Sequence, residues 1–250
     1  MIGSTFSFVE CADCDNLSGY TLIEGFPGMG LVGTIAAKYL IDNLNLNDNI
    51  SGHIESDAFM PVVRIHKGIP VYPARFYIDK KRKLIILISE QVIQTETAHG
   101  LSEATLNWIR AKKIKKVISL AGIKSPQPKT KEVYGIASNE KGLKELKKNN
   151  ISVIEEGITT GVTAMILTKL KQFDDITAIS LMSDVKFSAD YEAAATMIKK
   201  LSAVLNLKID TEPLMKEAKK TEQTLIKSMQ EMKDTHDETQ ISEHKLSMTT

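Results

Sequence analysis

The chain has 250 residues, 42% of them hydrophobic and 25% charged, which suits one large domain or a domain with an appendage. Lysine and arginine number 32 against 31 aspartates and glutamates, a formal net charge of +1 at pH 7. So even a balance excludes a general binder of nucleic acid or of a membrane surface, which needs a positive excess. The start, Met1-Ile2-Gly3-Ser4-Thr5, lacks the basic and apolar regions of a secretory signal, and no uncharged apolar run is long enough to span a bilayer. A cytoplasmic protein is expected.

Residues 1 to 17 read as a lead-in with a short strand at Phe6 to Val9. Cys11 and Cys14 form a C-x-x-C. No second pair completes a zinc site, and Asp15 to Gly19 is turn-rich where a redox motif would open a helix, so reduced thiols and no metal are expected. Tyr20 to Ile23 is a β-favouring apolar run. Gly25, Gly28, Gly30 and Gly33 come next, and from Leu31 apolar residues recur at helical spacing through Ile35, Tyr39, Leu40 and Leu44. A strand, a glycine turn and a helix leave backbone N–H groups free at the helix start, which suits an anion. Gly28-Met29-Gly30-Leu31-Val32-Gly33 matches the dinucleotide spacing G-x-G-x-x-G, with Glu55 about 20 residues on as a ribose partner. Phe26 and Pro27 intrude between strand and glycines, however, and Gly33-Thr34 has no P-loop lysine before it. Close packing of the helix on a sheet or a second subunit is the favoured reading.

Extended segments are expected near 53 to 59, 62 to 66 and 71 to 78, with Pro61, Pro70 and Pro73 marking strand ends or edges. Asp79 to Lys83 is a charged hairpin turn. Leu84-Ile85-Ile86-Leu87-Ile88 reads as a strand buried on both faces. Ser89-Glu90-Gln91 ends it, at the carboxyl end of a central strand where open α/β sheets place ligands. Ser89 and Glu90 are therefore candidates to bind a ligand or act as a base, although no histidine adjoins them. His99 and Glu103 share one face of a helix over 98 to 111, where Trp108 packs.

Lys116 to Gly122 repeats the pattern of strand then glycine, before a polar loop through Lys131 of the kind that often carries function. A strand at 133 to 137, a basic amphipathic helix over 139 to 149 and a strand at 151 to 154 come next. Gly157 and Gly161 bound a second glycine turn into a helix over 162 to 171. A strand at 176 to 182 and a helix from Ser188 to about Leu205 close the body. The order predicts an α/β fold with a mostly parallel sheet sandwiched by helices, an antiparallel insertion around 53 to 88, and a C-terminal helical extension.

Composition changes after Asp210. Thr211-Glu212-Pro213 starts a helix, and Met215, Ala218, Leu225, Met229 and Met232 lie on a heptad-like seam suited to oligomer or partner contact. The chain divides into a body of 1–210, a helix of 211–233 and a polar tail of 234–250 that is expected to be disordered.

Gly25-Phe26-Pro27-Gly28-Met29-Gly30-Leu31-Val32-Gly33 with Ala36-Ala37-Lys38-Tyr39-Leu40 resembles the opening motif of the proteasome assembly chaperone family, in its archaeal branch, sometimes labelled ATP-grasp-like. Ser56 to Pro61, Leu87 to Gln91, Ile118 to Gly122, Gly157 to Val162 and Tyr191 to Ala195 resemble that family in the same order, so the likeness covers roughly residues 18 to 209. It implies a nucleoside-phosphorylase-like core and a homo-oligomeric, non-enzymatic chaperone without cofactor, whose partners are itself and proteasome α-subunits or a related chaperone. Family members that bind the proteasome ring use a C-terminal hydrophobic–tyrosine–any-residue signal, which Leu246-Ser247-Met248-Thr249-Thr250 does not match. The alternative is an enzyme of the same fold that binds phosphate or nucleotide between Gly28, Gly30, Gly33, Ser89, Glu90, Gly157 and Gly161.

Overall fold

The computed structural model describes residues 5–11, 14–124 and 132–218. The chain opens with β1 (Phe6–Glu10) and β2 (Thr21–Gly25), and one 3₁₀ turn (Met29–Leu31) leads into α1 (Val32–Asn43). β3 (Ile50–Ser56), β4 (Arg64–His66), β5 (Ile69–Val71), β6 (Ala74–Asp79) and β7 (Leu84–Ser89) succeed one another without an intervening helix. Then come α2 (Thr95–Ala111), β8 (Lys116–Ile123), β9 (Val133–Ala137), α3 (Glu140–Lys148), β10 (Ser152–Val153), α4 (Gly161–Leu170), β11 (Thr177–Asp184) and α5 (Tyr191–Leu205). Residues 212–218 are helical.

Nine strands form one sheet in the order β1-β3-β6-β7-β2-β8-β11-β9-β10, while β4 and β5 pair separately as a small hairpin. The central strands β7, β2, β8 and β11 are parallel. From β1 through β3 and β6 to β7 each pairing is antiparallel, as is that of β9 with β11. The parallel reading thus holds at the centre, and the whole sheet is mixed because the segment from β3 to β7 returns through hairpins rather than crossover helices. β2 also extends to Gly25, which pairs with Ile88 of β7.

Alternation along the central strands feeds two cores. Ile23, Ile86, Ile88, Ile118 and Leu120 face α1 and α5; Leu22, Ile85, Leu87 and Val117 face α2 and α4. All six residues of β7 are buried, as its continuous apolar run requires. Two of the helices start where a side chain satisfies a free N–H. Asn139 accepts from Gly142 N at 3.0 Å to start α3, and Asp190 accepts from Ala193 N at 2.9 Å to start α5, which therefore begins at Tyr191 rather than Ser188. Leu214 is buried in the α1–α5 core with Met215 packed against it, and Ala218 is half-buried. Leu225, Met229, Met232, the tail 234–250 and the loop residues 125–131 lie outside the described residues.

Candidate functional site

The carboxyl ends of β2, β7 and β8 gather most of the residues singled out in the sequence. The start of α1 meets the end of β7, where the Thr34 hydroxyl donates to Ser89 O at 3.0 Å. The start of α4 meets β2 on the opposite face, where the Thr163 hydroxyl donates to Glu24 Oε1 at 2.7 Å. The two glycine turns thus approach the same strand ends from opposite sides of the sheet.

The first turn is filled by its own neighbours. A Cβ on Gly33 would stand closer than 3.0 Å to the carbonyl oxygens of Leu120 and Phe26, and one on Gly122 would meet Met29 O. Helix α1 therefore lies backbone to backbone on β8, an approach only glycine permits. Gly30 takes φ +63° with Val185 and the Asp190 Cβ against it, and its carbonyl accepts from Asp190 N at 2.8 Å, tying the turn to the start of α5. Gly28 is extended and open, and Gly161 has φ +86° with open space around it. Gly157 lies in an exposed loop beside Ile158. Leu31, the residue before α1, also holds a left-handed φ of 50° while remaining exposed.

Glu90 is committed elsewhere. Its carboxylate accepts from Arg75 Nη1 at 2.6 Å and from Arg64 Nε at 2.9 Å. Arg75 is fully buried and donates also to the Tyr77 hydroxyl at 2.6 Å. Arg64 belongs to β4, so Glu90 clamps the top of the hairpin to the sheet. At the tip, Asp48 accepts from Lys67 Nζ at 2.8 Å and lies 3.2 Å from His66 Nε2. Glu55 is three strands from β2 in the sheet order, about 14 Å at ordinary strand spacing, and so is not placed to serve the first glycine turn. It instead accepts from the Tyr72 hydroxyl at 2.7 Å and lies 3.1 Å from His53 Nε2, contacts that hold its carboxyl below the ordinary range. Glu103 pairs across to Lys169 of α4, while His99 is exposed. Trp108 stacks on Phe8 at 4.7 Å and donates to Glu10.

The sequence pattern did not single out Glu24. It is fully buried, and in register Glu24 on β2 faces Ser119 on β8, which faces Ser180 on β11. These three form one polar row across the centre of the sheet, beneath α4. Burial pushes the Glu24 carboxyl up to about 7, with the Thr163 and Ser119 hydroxyls pulling the other way. Among the described residues, Glu24 Oε2, Ser119 Oγ and Ser180 Oγ have no hydrogen-bond partner of normal geometry. A carboxylate inside an otherwise apolar strand was the available signal. Cys11 is exposed and Cys14 is buried. Among the described residues, no cluster of three or more His, Cys, Asp or Glu is placed to hold a metal ion, and no helix is long and apolar enough to cross a membrane.

Comparison with known proteins places this arrangement. The profile of the PAC2 family matches residues 22–229. An uncharacterized protein of Methanocaldococcus jannaschii is 34% identical over 222 residues, covering 88% of this chain and 90% of that one. The crystal structure of Pyrococcus furiosus PbaA, described as an archaeal homolog of proteasome-assembly chaperone, superposes with a TM-score of 0.78 at 29% identity, covering 92% and 99% of the two chains. Proteasome assembly chaperone 2 of Nematostella vectensis is 28% identical over 127 residues, 46% of this chain and 52% of that one.

Proposed function

This chain belongs to the PAC2 family, and from that membership we propose that it is a non-enzymatic assembly chaperone or scaffold in the cytoplasm, working as a homo-oligomer that holds proteasome α-subunits. The observation that carries the proposal is the likeness to the Pyrococcus homologue over nearly the whole of both chains. The partial match to a eukaryotic protein named as a proteasome assembly chaperone supports the same partner class. Fold likeness alone would not carry a function, but here it comes with sequence identity and a family profile.

The geometry is consistent with a scaffold. The first glycine turn serves to seat α1 on β8, and the Glu90 carboxylate serves to brace a hairpin. Both weigh against the alternative, a phosphate or nucleotide held between Gly28, Gly30, Gly33, Ser89, Glu90, Gly157 and Gly161. An anion beside Gly30 or Gly33 would have to displace packed neighbours, and in the first turn Gly28 alone faces open space.

The test is co-purification with proteasome α-subunits from the same source, with molar mass read by light scattering. A stoichiometric complex of both chains is expected. Recovery of this protein alone, with no change in its mass when α-subunits are added, would overturn the assignment.

A further inference from the structure

A cleft of about 710 Å³ opens across one end of the sheet, from the start of β1 past the end of β3 and the residues before β6 to Gln91 after β7. Three of its features point to one kind of ligand.

The first is Gln91. It lines the cleft, is only 5% exposed, and neither its Oε1 nor its Nε2 has a partner among the described residues. Burying a primary amide without hydrogen bonds is unfavourable. The residue is nonetheless held in place: the Ser89 hydroxyl donates to Gln91 O at 3.0 Å and lies 3.3 Å from Gln91 N, which donates to it. Those bonds hold its main chain; the side-chain amide offers a donor and an acceptor side by side, the complement of a backbone peptide group.

The second is the edge. β1 is the outermost strand, with β3 on one side and no strand on the other among the described residues. Thr5 and Ser7, at its start, form part of the cleft wall. An edge strand presents unpaired N–H and C=O groups to which an extended chain adds by main-chain hydrogen bonds.

The third is the lining. Met60 and Tyr72 are each 47% exposed and Val62 41%, apolar surface turned outward at the mouth. Glu55 and Asp57 supply the charge there, and no lysine, arginine or histidine lines the cleft among the described residues. Tyr72 and His53 keep Glu55 ionised. The wall is apolar and acidic together, so its complement is apolar and basic.

We propose that this cleft binds an extended peptide segment in which an apolar side chain is flanked by lysine or arginine, the peptide crossing the strand ends with one end against the edge at the start of β1 and the other pairing with the Gln91 amide. The site stands on its own residues and does not depend on the chaperone assignment.

The test uses the full chain and a fluorescein-labelled heptapeptide of alternating lysine with leucine and valine, read by fluorescence anisotropy. Its controls are the same peptide with glutamate for lysine and one with serine for leucine and valine. Saturable binding is expected, at least tenfold weaker for each control and weakening as salt rises. Gln91→Leu is expected to lower affinity at least tenfold while its urea midpoint stays equal to or above that of the parent, because the substitution removes an unpartnered buried amide. That pairing separates a ligand-facing amide from a structural one, whose loss would destabilise. Glu55→Gln with Asp57→Asn is expected to erase the preference for the lysine peptide. Equal binding of all three peptides, or affinity indifferent to Gln91→Leu, would overturn the proposal. So would a cleft covered by a second copy: Tyr72→Glu would then lower the molar mass by light scattering, and the lysine peptide would not bind the parent.

Discussion

At the residue scale, two positions carry opposite kinds of constraint. Gly33 is fixed by space: a methyl there runs into the carbonyl oxygens of Leu120 and Phe26, which are backbone and cannot rotate away. Gly33→Ala is expected to cost about 2 kcal/mol or more by overpacking, seen as a lower urea midpoint, and an unchanged midpoint would mean α1 can lift from β8 freely. Glu24 is fixed by solvation. Its carboxyl titrates at about 7 in the folded chain against 4.5 when unfolded. A raised acid favours the folded state most below the unfolded value, and that contribution is lost as pH rises through about 7. The difference is about 3 kcal/mol. Glu24→Gln is therefore expected to gain on the parent by that order as pH goes from 4.5 to 8, measured as the difference between the two urea midpoints at each pH. A difference independent of pH would place the titration elsewhere. Neither role was fully legible in the sequence. The glycine spacing announced a close approach, but the neighbour it approaches, β8, lies more than 80 residues further on. Glu24 stood in plain view as one carboxylate in a strand, yet its burial depends on α4, which only the fold brings over it.

At the scale of elements, the β4–β5 hairpin is held by two carboxylates, Asp48 at its tip and Glu90 at its top. Glu90 holds Arg64 of the hairpin and the wholly buried Arg75 at once. Removing it leaves a buried guanidinium without its counter-ion, a loss of about 3 kcal/mol. Glu90→Ala is expected to lower the urea midpoint accordingly and to raise amide exchange over residues 64–71 more than over β7. Uniform exchange changes across the sheet would show that the hairpin does not open separately. The elements themselves were readable where the local pattern was strong. The run Leu84 to Ile88 could only be a strand covered on both faces, and residues 139 to 149 read as an amphipathic helix, of which Asn139 turns out to be the cap. Their arrangement was less so. Hairpin returns put β3 three positions from β2, which separates Glu55 from the glycine turn that sequence spacing had joined to it. The Gln91 cleft draws its walls from separate strand ends and loops, and no periodicity in any one of them marks it.

At the scale of the whole molecule, the body and the helix after Asp210 are joined more tightly than composition suggests. The break in composition is real, but Leu214 is 5% exposed and belongs to the core beneath α1 and α5, with Met215 packed on the same cluster. The Tyr39 hydroxyl donates to Asp210 O at 2.7 Å, fastening the approach to that helix. The family profile likewise runs to residue 229 without a break at 210. A chain stopped at Asp210 should therefore lose stability as well as any contact made beyond it, by about 2 to 4 kcal/mol for the buried leucine and its neighbour. A chain stopped at residue 218 keeps both side chains and should unfold at the parent's urea concentration. The pair separates two causes that one truncation would confuse. If the shorter chain alone loses the α-subunit complex, the body has been weakened. If the longer one loses it too, with stability intact, the contact lies in Leu225, Met229 and Met232 or beyond. If neither does, the holding surface is on the sheet and its helices.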